Sequence, residues 1–296
     1  MSIEVRTTAA FAACSLIWGS TFLVISVGND SMPPLWAASL RMLLAATLLT
    51  ALTYVAGQRL PRGPALRAAA QYGFFNMGLS FCLLYWGEKT VPSGVTAVMY
   101  ATIPLSTALF ANAFALERLR PPKVVAALAA LAGVVLIFSV EWRGPVAAIP
   151  FAAVLVAATC ASLSGVLLKR GPRQHPLGVN AIGTLVGLAV CLAASVLARE
   201  PHPVPVTPRA FLPIVYLALA GSVGAFVLYA FLVNHWPVTR ISFIAVIVPV
   251  VALALGALFR HERLTRAGFA GSALVMLALA GAIAVDRRAA ASGQPH

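Results

Sequence analysis

Charged residues are scarce in this chain of 296 residues. They make up 10% of the sequence, against roughly 25% in an ordinary soluble domain. Apolar residues account for 60%. A soluble domain leaves so much of its surface in water that it could not hide this many apolar side chains. The scarcity of charge therefore excludes a soluble protein and predicts an integral membrane protein.

Acidic residues are the scarcest charged group. The chain has eight Asp and Glu against 21 Lys and Arg, which gives a formal net charge of +13. In a soluble protein this excess would indicate nucleic-acid binding. In a membrane protein, Lys and Arg instead collect in short cytoplasmic loops. The sequence has no aromatic-basic interleaving and no soluble segment, so we expect no nucleic-acid partner.

Cysteine is also rare, and the spacing of the cysteines does not indicate a metal site. All four cysteines lie inside apolar segments, without C-x-x-C spacing: Cys14, Cys82, Cys160 and Cys191. They predict neither a zinc site nor a disulfide framework, and we expect no metal and no cofactor. No apolar segment clusters His, Asp or Cys at catalytic spacing, which excludes a membrane-embedded enzyme.

Long apolar runs dominate what remains. A membrane crossing needs about 20 mostly apolar residues, and ten such stretches separate at short turns or charges. They are residues 8–27, 33–56, 66–86, 92–114, 122–140, 147–168, 176–198, 210–232, 238–259 and 267–285. The first run is too long for the apolar part of a signal peptide and predicts a retained crossing. Glu88 and Lys89 fall in the loop after the third crossing. The other Asp and Glu residues also lie at or beyond the ends of the crossings, so no carboxylate lies deep in any of them.

One block of the sequence recurs near the end of the chain, shifted by 145 residues without a gap. Pro92, Pro104 and the Glu-Arg-Leu triplet at 117–119 match Pro237, Pro249 and the triplet at 262–264. Glu occurs only six times in the chain, so its presence at matched positions indicates a duplication rather than an accident of composition.

The duplication predicts inverted repeats. Each copy, residues 8–140 and 147–286, holds five crossings, and after an odd number the second copy enters from the opposite side. With the N-terminus inside, 13 Lys and Arg face the cytoplasm and seven face outward, which predicts that both termini are cytoplasmic. The outward loop 260–266 carries three positive charges because it copies an inward loop. Inverted repeats are a recurrent plan of secondary transporters.

Several motifs in order make the chain resemble the EamA family of the drug/metabolite transporter superfamily. They are Trp18-Gly19-Ser20 in the first crossing, Arg41 in the second, Pro104 and Pro249 in the fourth and ninth, and the Glu-Arg-Leu triplet after each. The segment Val91-Pro92-Ser93-Gly94-Val95 further resembles a subgroup of pigment and metabolite exporters.

The resemblance covers about residues 8 to 286 and implies an all-α protein of the bacterial inner membrane. Its ten helices would surround a central cavity, lined mainly by helices 1, 3, 4, 6, 8 and 9, and a monomer would suffice. Related four-helix exporters couple to protons through a Glu in helix 1, where this chain has Cys14-Ser15-Leu16. Carboxylate-based proton antiport is therefore disfavoured. Facilitated export is the simpler reading, and proton coupling by another route stays open.

Arg41 is the one charge well inside a predicted crossing. A charge in hydrocarbon is costly, so such a residue is a functional hypothesis by default, and an anionic group on a solute would be its natural partner. A structural role competes, since Arg41 lies roughly 12 Å from the outer end of its helix. From there it could snorkel outward or bind backbone carbonyls.

Other candidates are aromatic or polar residues near the middle of predicted crossings. The candidate binding residues besides Arg41 are Trp18, Ser20, Asn76, Tyr85, Tyr100, Tyr229 and Ser242. Few polar groups on apolar walls are typical of a small-molecule site, although an aromatic stripe is more often part of a packed core. Trp18 and Tyr100 are the strongest of these candidates, because the resemblance implies that their helices line the cavity. Pro104 and Pro249 are candidate hinges, because proline breaks the backbone hydrogen-bond ladder of a helix.

These features together predict a transporter that exports small metabolites, such as amino acids or related amphipathic solutes, by alternating access. A lipid-carrier flippase of the same superfamily and a broad-specificity drug efflux protein are the alternatives. A receptor or scaffold would not need inverted symmetry. The expected partners are a small solute and the lipid bilayer.

Overall fold

The computed structural model describes residues 2–116, 121–141, 148–236, 244–261 and 266–291. Regular structure in these ranges is helical, and no strand occurs in them. The predicted all-α class is confirmed. The two Glu-Arg-Leu triplets, Pro237 and Ser242 lie outside the described residues.

Ten helices occupy the described ranges, close to the predicted crossings. They are α1 (Ile3–Asn29), α2 (Pro34–Val55), α3 (Pro64–Tyr72, Gly73–Ser80 and Phe81–Gly87), α4 (Ser93–Tyr100 and Ile103–Ala113), α5 (Pro121–Glu141), α6 (Ala148–Arg170), α7 (Pro176–Leu197), α8 (Pro208–Tyr216, Leu217–Gly224 and Ala225–His235), α9 (Ile244–Arg260) and α10 (Arg266–Ala291). Several begin at a proline, whose fixed φ suits the first helical turn.

Six segments are long and apolar enough to cross a membrane, counted over the described residues. They are Ile3–Asn29, Pro34–Val55, Ser93–Ala113, Ala148–Arg170, Pro176–Leu197 and Pro208–Tyr229. Shorter apolar stretches lie in α5, α9 and α10. With the helical class, these segments establish a multi-pass membrane protein.

The chain divides into two compact units. The first unit comprises Met1–Leu23, Val91–Leu155 and Leu228–His296, and the second comprises Val24–Thr90 and Val156–Val227. Each unit therefore takes segments from both halves of the sequence. The core of the first unit joins α4, α6 and α10 through buried side chains that include Val98, Val154 and Leu279.

The second unit is held by close helix packing. α2 and α3 both pack on α7. A Cβ built on Gly73 would lie 2.6 Å from the backbone of Gly183, and one on Gly187 would lie 2.7 Å from the Met77 side chain. Glycines at these crossings let the backbones approach closely, as is common between membrane helices.

Two helices contain a π-helical segment at repeat-related positions. Gly73–Ser80 in α3 and Leu217–Gly224 in α8 begin 144 residues apart, close to the sequence repeat. π-helical turns are rare and frequently occur at functional sites. Each segment lies in the second unit, where it changes which side chains its helix presents.

The two candidate hinge prolines differ in their surroundings. α4 is interrupted by a turn at residues 101–102, just before Pro104, and the Thr102 hydroxyl donates to the Met99 carbonyl there (2.6 Å). α9 continues through Pro249 without a break over its described length. Their predicted role in motion stays a prediction.

Candidate functional site

Arg41 lies on α2 and is 4% exposed. Its Nε donates to the Ser222 hydroxyl (3.3 Å) and its Nη1 donates to the Tyr85 hydroxyl (3.4 Å). Its guanidinium carbon lies 4.6 Å from the centroid of the Phe81 ring. All of these residues belong to the second unit.

The local fold fixes both hydroxyl partners. Ser222 lies in the π-helical segment of α8, and its hydroxyl also donates to the Leu217 carbonyl (3.2 Å), five residues earlier. Tyr85 is 1% exposed, and its own carbonyl accepts a hydrogen bond from Asn29 Nδ2 (2.8 Å). A buried phenol and a hydroxyl held by the helix backbone have little freedom, so the orientation of the guanidinium follows from theirs.

The direct contacts of the Arg41 guanidinium are with neutral groups. Its partners are two hydroxyls and an aromatic ring, and it forms no ion pair with any residue that the structure describes. A guanidinium has five N–H donors, and the two hydrogen bonds engage only part of them. A buried charge without a counter-ion is expensive. An anion brought to the remaining donors would lower that cost.

Glu88 is the acidic residue buried beside this group. It lies in the loop directly after α3, as the sequence predicts, but it is 3% exposed. The burial of a single residue past a helix end leaves no periodic signal in the sequence. Glu88, Ser222 and Asn29 are polar residues of this region that the sequence candidates did not include.

The aromatic candidates gather in the first unit. The rings of Trp18 and Tyr229 have centroids 5.5 Å apart, and those of Phe22 and Tyr100 are also 5.5 Å apart. Both separations are within the range of favourable aromatic pairs. Tyr229 is 37% exposed. The helical stripe on α1 thus faces other aromatic side chains.

Close helix packing supports this aromatic group. A Cβ on Gly19 would lie 2.6 Å from the Val251 side chain, so α1 and α9 approach closely beside Trp18. The planes of the Trp18 and Tyr229 rings are tilted by 43°.

For Ser20 and Asn76, the structure shows features of their own helices only. The Ser20 hydroxyl donates to the Ile17 carbonyl (2.8 Å) within α1. Asn76 is half-buried in the π-helical segment of α3. The structure therefore groups Arg41 with Tyr85, and Trp18 with Tyr229. No group of three or more His, Cys, Asp and Glu suited to a metal ion occurs in the part of the chain that the structure describes.

Comparison with models of known protein families identifies the family of this chain. The EamA-like transporter family matches residues 7–139 and again residues 149–284. The chain belongs to the EamA-like transporter family.

Several curated proteins are similar in sequence to this EamA-like transporter over nearly its whole length. The inner membrane transporter YedA of Escherichia coli is 31% identical over 273 residues, 91% of this chain and 88% of that protein. A probable amino-acid metabolite efflux pump of Escherichia coli is 26% identical, over 89% of this chain and 90% of the relative. Protein PecM of Dickeya dadantii is 29% identical, over 94% and 91%.

A solved structure shares the fold. One crystal structure matches this EamA-like transporter with a TM-score of 0.66 at 22% identity, covering 95% of this chain and 98% of that chain. Family, relatives and helical architecture together establish a membrane transporter and not an enzyme.

Proposed function

We propose that this protein exports small metabolites, amino acids or related amphipathic solutes, across the bacterial inner membrane by alternating access. Two inverted five-helix repeats with cytoplasmic termini would provide the two access states. A relative that is 26% identical carries the name of a probable amino-acid metabolite efflux pump, which supports this class of solute.

The observation that carries the proposal is the chemistry around Arg41. A buried cation beside hydroxyls and an aromatic ring suits a carboxylate, because charge-assisted hydrogen bonds are about twice as strong as neutral ones. The carboxylate would bind the guanidinium, and the Tyr85 and Ser222 hydroxyls would keep that guanidinium in place. Binding would then neutralise a charge that the protein holds at a cost.

The aromatic residues would contribute to an apolar part of the solute path. Trp18, Tyr100 and Tyr229 offer ring faces and hydroxyls in the first unit. We assign secondary contact roles to Ser20, Asn76 and Ser242, and hinge roles to Pro104 and Pro249. Pro104 is the stronger hinge candidate, because the helix is interrupted just before it.

Reconstitution tests this function. Purified protein in proteoliposomes is given a panel of amino acids, nucleosides, dyes and a lipid-linked sugar, with and without a pH gradient. We expect amino-acid movement by the wild type. Movement of the lipid-linked sugar alone would identify a flippase, and dyes alone would identify a broad drug exporter.

Arg41→Gln tests the carboxylate site. A charge-assisted hydrogen bond contributes roughly 1.5–3 kcal/mol, so KM for a transported amino acid should rise about 10- to 150-fold. Arg59→Gln is the matched control, since Arg59 is exposed in the loop between α2 and α3 and its KM should not change. A folded Arg41→Gln variant with wild-type KM would remove Arg41 from the site.

A further inference from the structure

The two ends of the second unit differ in charge. The α2–α3 and α6–α7 connections, with the adjoining helix turns, carry six cationic residues and no acidic one: Arg59, Arg62, Arg67, Lys169, Arg170 and Arg173. The opposite end carries three acidic and three basic residues: Asp30, Glu88, Glu200, Lys89, Arg199 and Arg209. Positive charge at a cytoplasmic end helps to set topology, but topology depends on the number of charges and not on their arrangement.

The α6–α7 connection packs directly on the start of α3. A Cβ built on Gly171 would lie 2.5 Å from the Cβ of Ala68. Arg170 and Arg67 directly precede these two residues in the chain, and both arginines are exposed. Cationic residues of the two connections therefore start from adjacent backbone. Like charges at short range repel each other, and a bound anion lowers that repulsion.

The N-terminus of α3 adds positive potential at this basic end. The residue before the helix is Gly63 (φ 56°), which makes no side-chain cap, and no acidic residue lies in the first turn. A helix N-terminus carries roughly half a positive charge and attracts anions. The start of α7 differs, because His175 Nδ1 accepts a hydrogen bond from the Leu177 N–H (3.4 Å). The helix start without a side-chain cap is the one flanked by Arg62 and Arg67.

The α2–α3 connection has a defined backbone. Gly57 takes a left-handed conformation (φ 66°) after α2, and the Gln58 N–H donates to the Thr53 carbonyl (2.9 Å), a common helix C-terminal motif. Further along, a Cβ built on Gly178 would lie 3.1 Å from the Pro61 side chain, so the connection is packed against the start of α7. Arginines on a backbone that is already ordered lose less entropy when they bind a ligand.

Apolar side chains are exposed beside these cations. Tyr54 and Val55 at the end of α2 are 64% and 85% exposed, and Leu66 in the first turn of α3 is 41% exposed. Tyrosine is enriched where membrane-spanning helices meet the headgroup region. A soluble phosphate compound would leave these side chains uncovered, whereas a phospholipid offers both a phosphate and acyl chains.

We propose that the basic end of the second unit binds the headgroup of an anionic phospholipid. The phosphate lies beside the N-terminus of α3, against four exposed arginines that we call the basic surface: Arg62, Arg67, Arg170 and Arg173. The acyl chains lie along the exposed apolar side chains next to it. The end of α2 lies roughly 21 Å along the helix from Arg41, so this lipid site is separate from the Arg41 site and does not depend on which solute is transported.

Native mass spectrometry of the delipidated protein in detergent tests the proposal. Binding of phosphatidylglycerol is compared with binding of phosphatidylethanolamine that has the same acyl chains, and we expect the wild type to bind phosphatidylglycerol more tightly. Each cation near an anionic lipid contributes about fivefold in affinity. The double variants Arg62→Gln/Arg67→Gln and Arg170→Gln/Arg173→Gln should therefore each lose about 25-fold in affinity for phosphatidylglycerol.

The charge-balanced end of the same unit supplies the matched control. Lys89→Gln/Arg209→Gln also removes two positive charges from exposed positions and should leave phosphatidylglycerol binding unchanged. Equal affinity of the wild type for the two lipids would overturn the proposal, and so would equal losses in the control and the basic-surface variants. Inorganic phosphate, added as a competitor, should not displace the lipid. Complete displacement would assign the arginines to soluble phosphate compounds and refute the lipid site.

Photo-crosslinking of the unmodified protein covers the case in which an arginine variant does not fold. The wild type is placed in nanodiscs that contain phosphatidylglycerol with a photoactivatable group close to its headgroup, and peptide mass spectrometry maps the adducts. Adducts should concentrate in residues 54–67 and 168–176 rather than in residues 88–92 and 198–209. The corresponding phosphatidylethanolamine probe should show no such preference. Equal labelling of both ends by the phosphatidylglycerol probe would refute the site.

Discussion

Helix α2, which carries Arg41, takes its N-terminal cap from a residue far along the chain. The residue before the helix is Pro33, which makes no side-chain cap. The Glu200 carboxylate instead accepts hydrogen bonds from the backbone N–H of Leu35 (3.3 Å) and of Trp36 (2.8 Å). The Ser195 hydroxyl also donates to Glu200 (3.0 Å). We expect Glu200→Ala to destabilise the protein measurably.

The size of the effect follows from these contacts. Losing an N-cap acceptor costs about 1 kcal/mol, and a negative charge at a helix N-terminus contributes roughly 0.3–1 kcal/mol. The Ser195 hydroxyl keeps a second partner, because it also lies 3.2 Å from His202 Nε2. Glu200→Ala should therefore lower the free energy of unfolding by about 1–2 kcal/mol. Glu200→Gln keeps one acceptor oxygen and should lose about half of that.

Unfolding in mixed detergent micelles, followed by far-UV circular dichroism, measures the difference. Tryptophan emission gives a second readout, because the Trp36 indole donates to the Pro203 carbonyl (2.9 Å) in the same loop. Glu4→Ala removes an exposed Glu and should cost under about 0.5 kcal/mol. If Glu200→Ala and Glu4→Ala lost equal stability, the capping argument would be wrong.

Two further predictions concern the packing of α3 on α7. Gly73→Ala should cost about 1–3 kcal/mol of unfolding free energy, because its Cβ would lie 2.6 Å from the Gly183 backbone. Gly165→Ala meets nothing within 4 Å and should be neutral or stabilising; equal losses in both variants would contradict the close approach. The Cys82 and Cys191 sulfurs lie 3.5 Å apart, so copper-phenanthroline should link them, and mass spectrometry should find that disulfide in preference to any other.

The general plan of the molecule could be predicted because apolar runs and proline positions are local properties. Lengths of about 20 residues and a proline at many helix starts place most helix ends to within three residues, and the start of α1, the start of α9 and the end of α10 to within six. The same local properties identified Arg41, since a charged residue is conspicuous in an apolar run. They also identified the helical stripe that includes Trp18.

The partners of those residues could not be predicted, because they depend on which helix faces which. Ser222 reaches Arg41 through a π-helical segment, and such a segment has no composition signal in an apolar sequence. The burial of Glu88 could not be predicted either. It lies in a loop, and a loop residue becomes buried only when other parts of the fold cover it. Ser242 remains a prediction from the sequence alone.

The sequence by itself determined a multi-pass helical membrane protein and predicted a duplicated plan, since hydrophobic length and repeated motifs require no knowledge of contacts. Only the tertiary structure decided that Arg41 contacts the Ser222 and Tyr85 hydroxyls and that a distant Glu200 caps its helix. Electrostatic environment depends on distances between groups remote in the chain. A sequence lists the charges, but folding sets how far apart they lie and how much water remains between them.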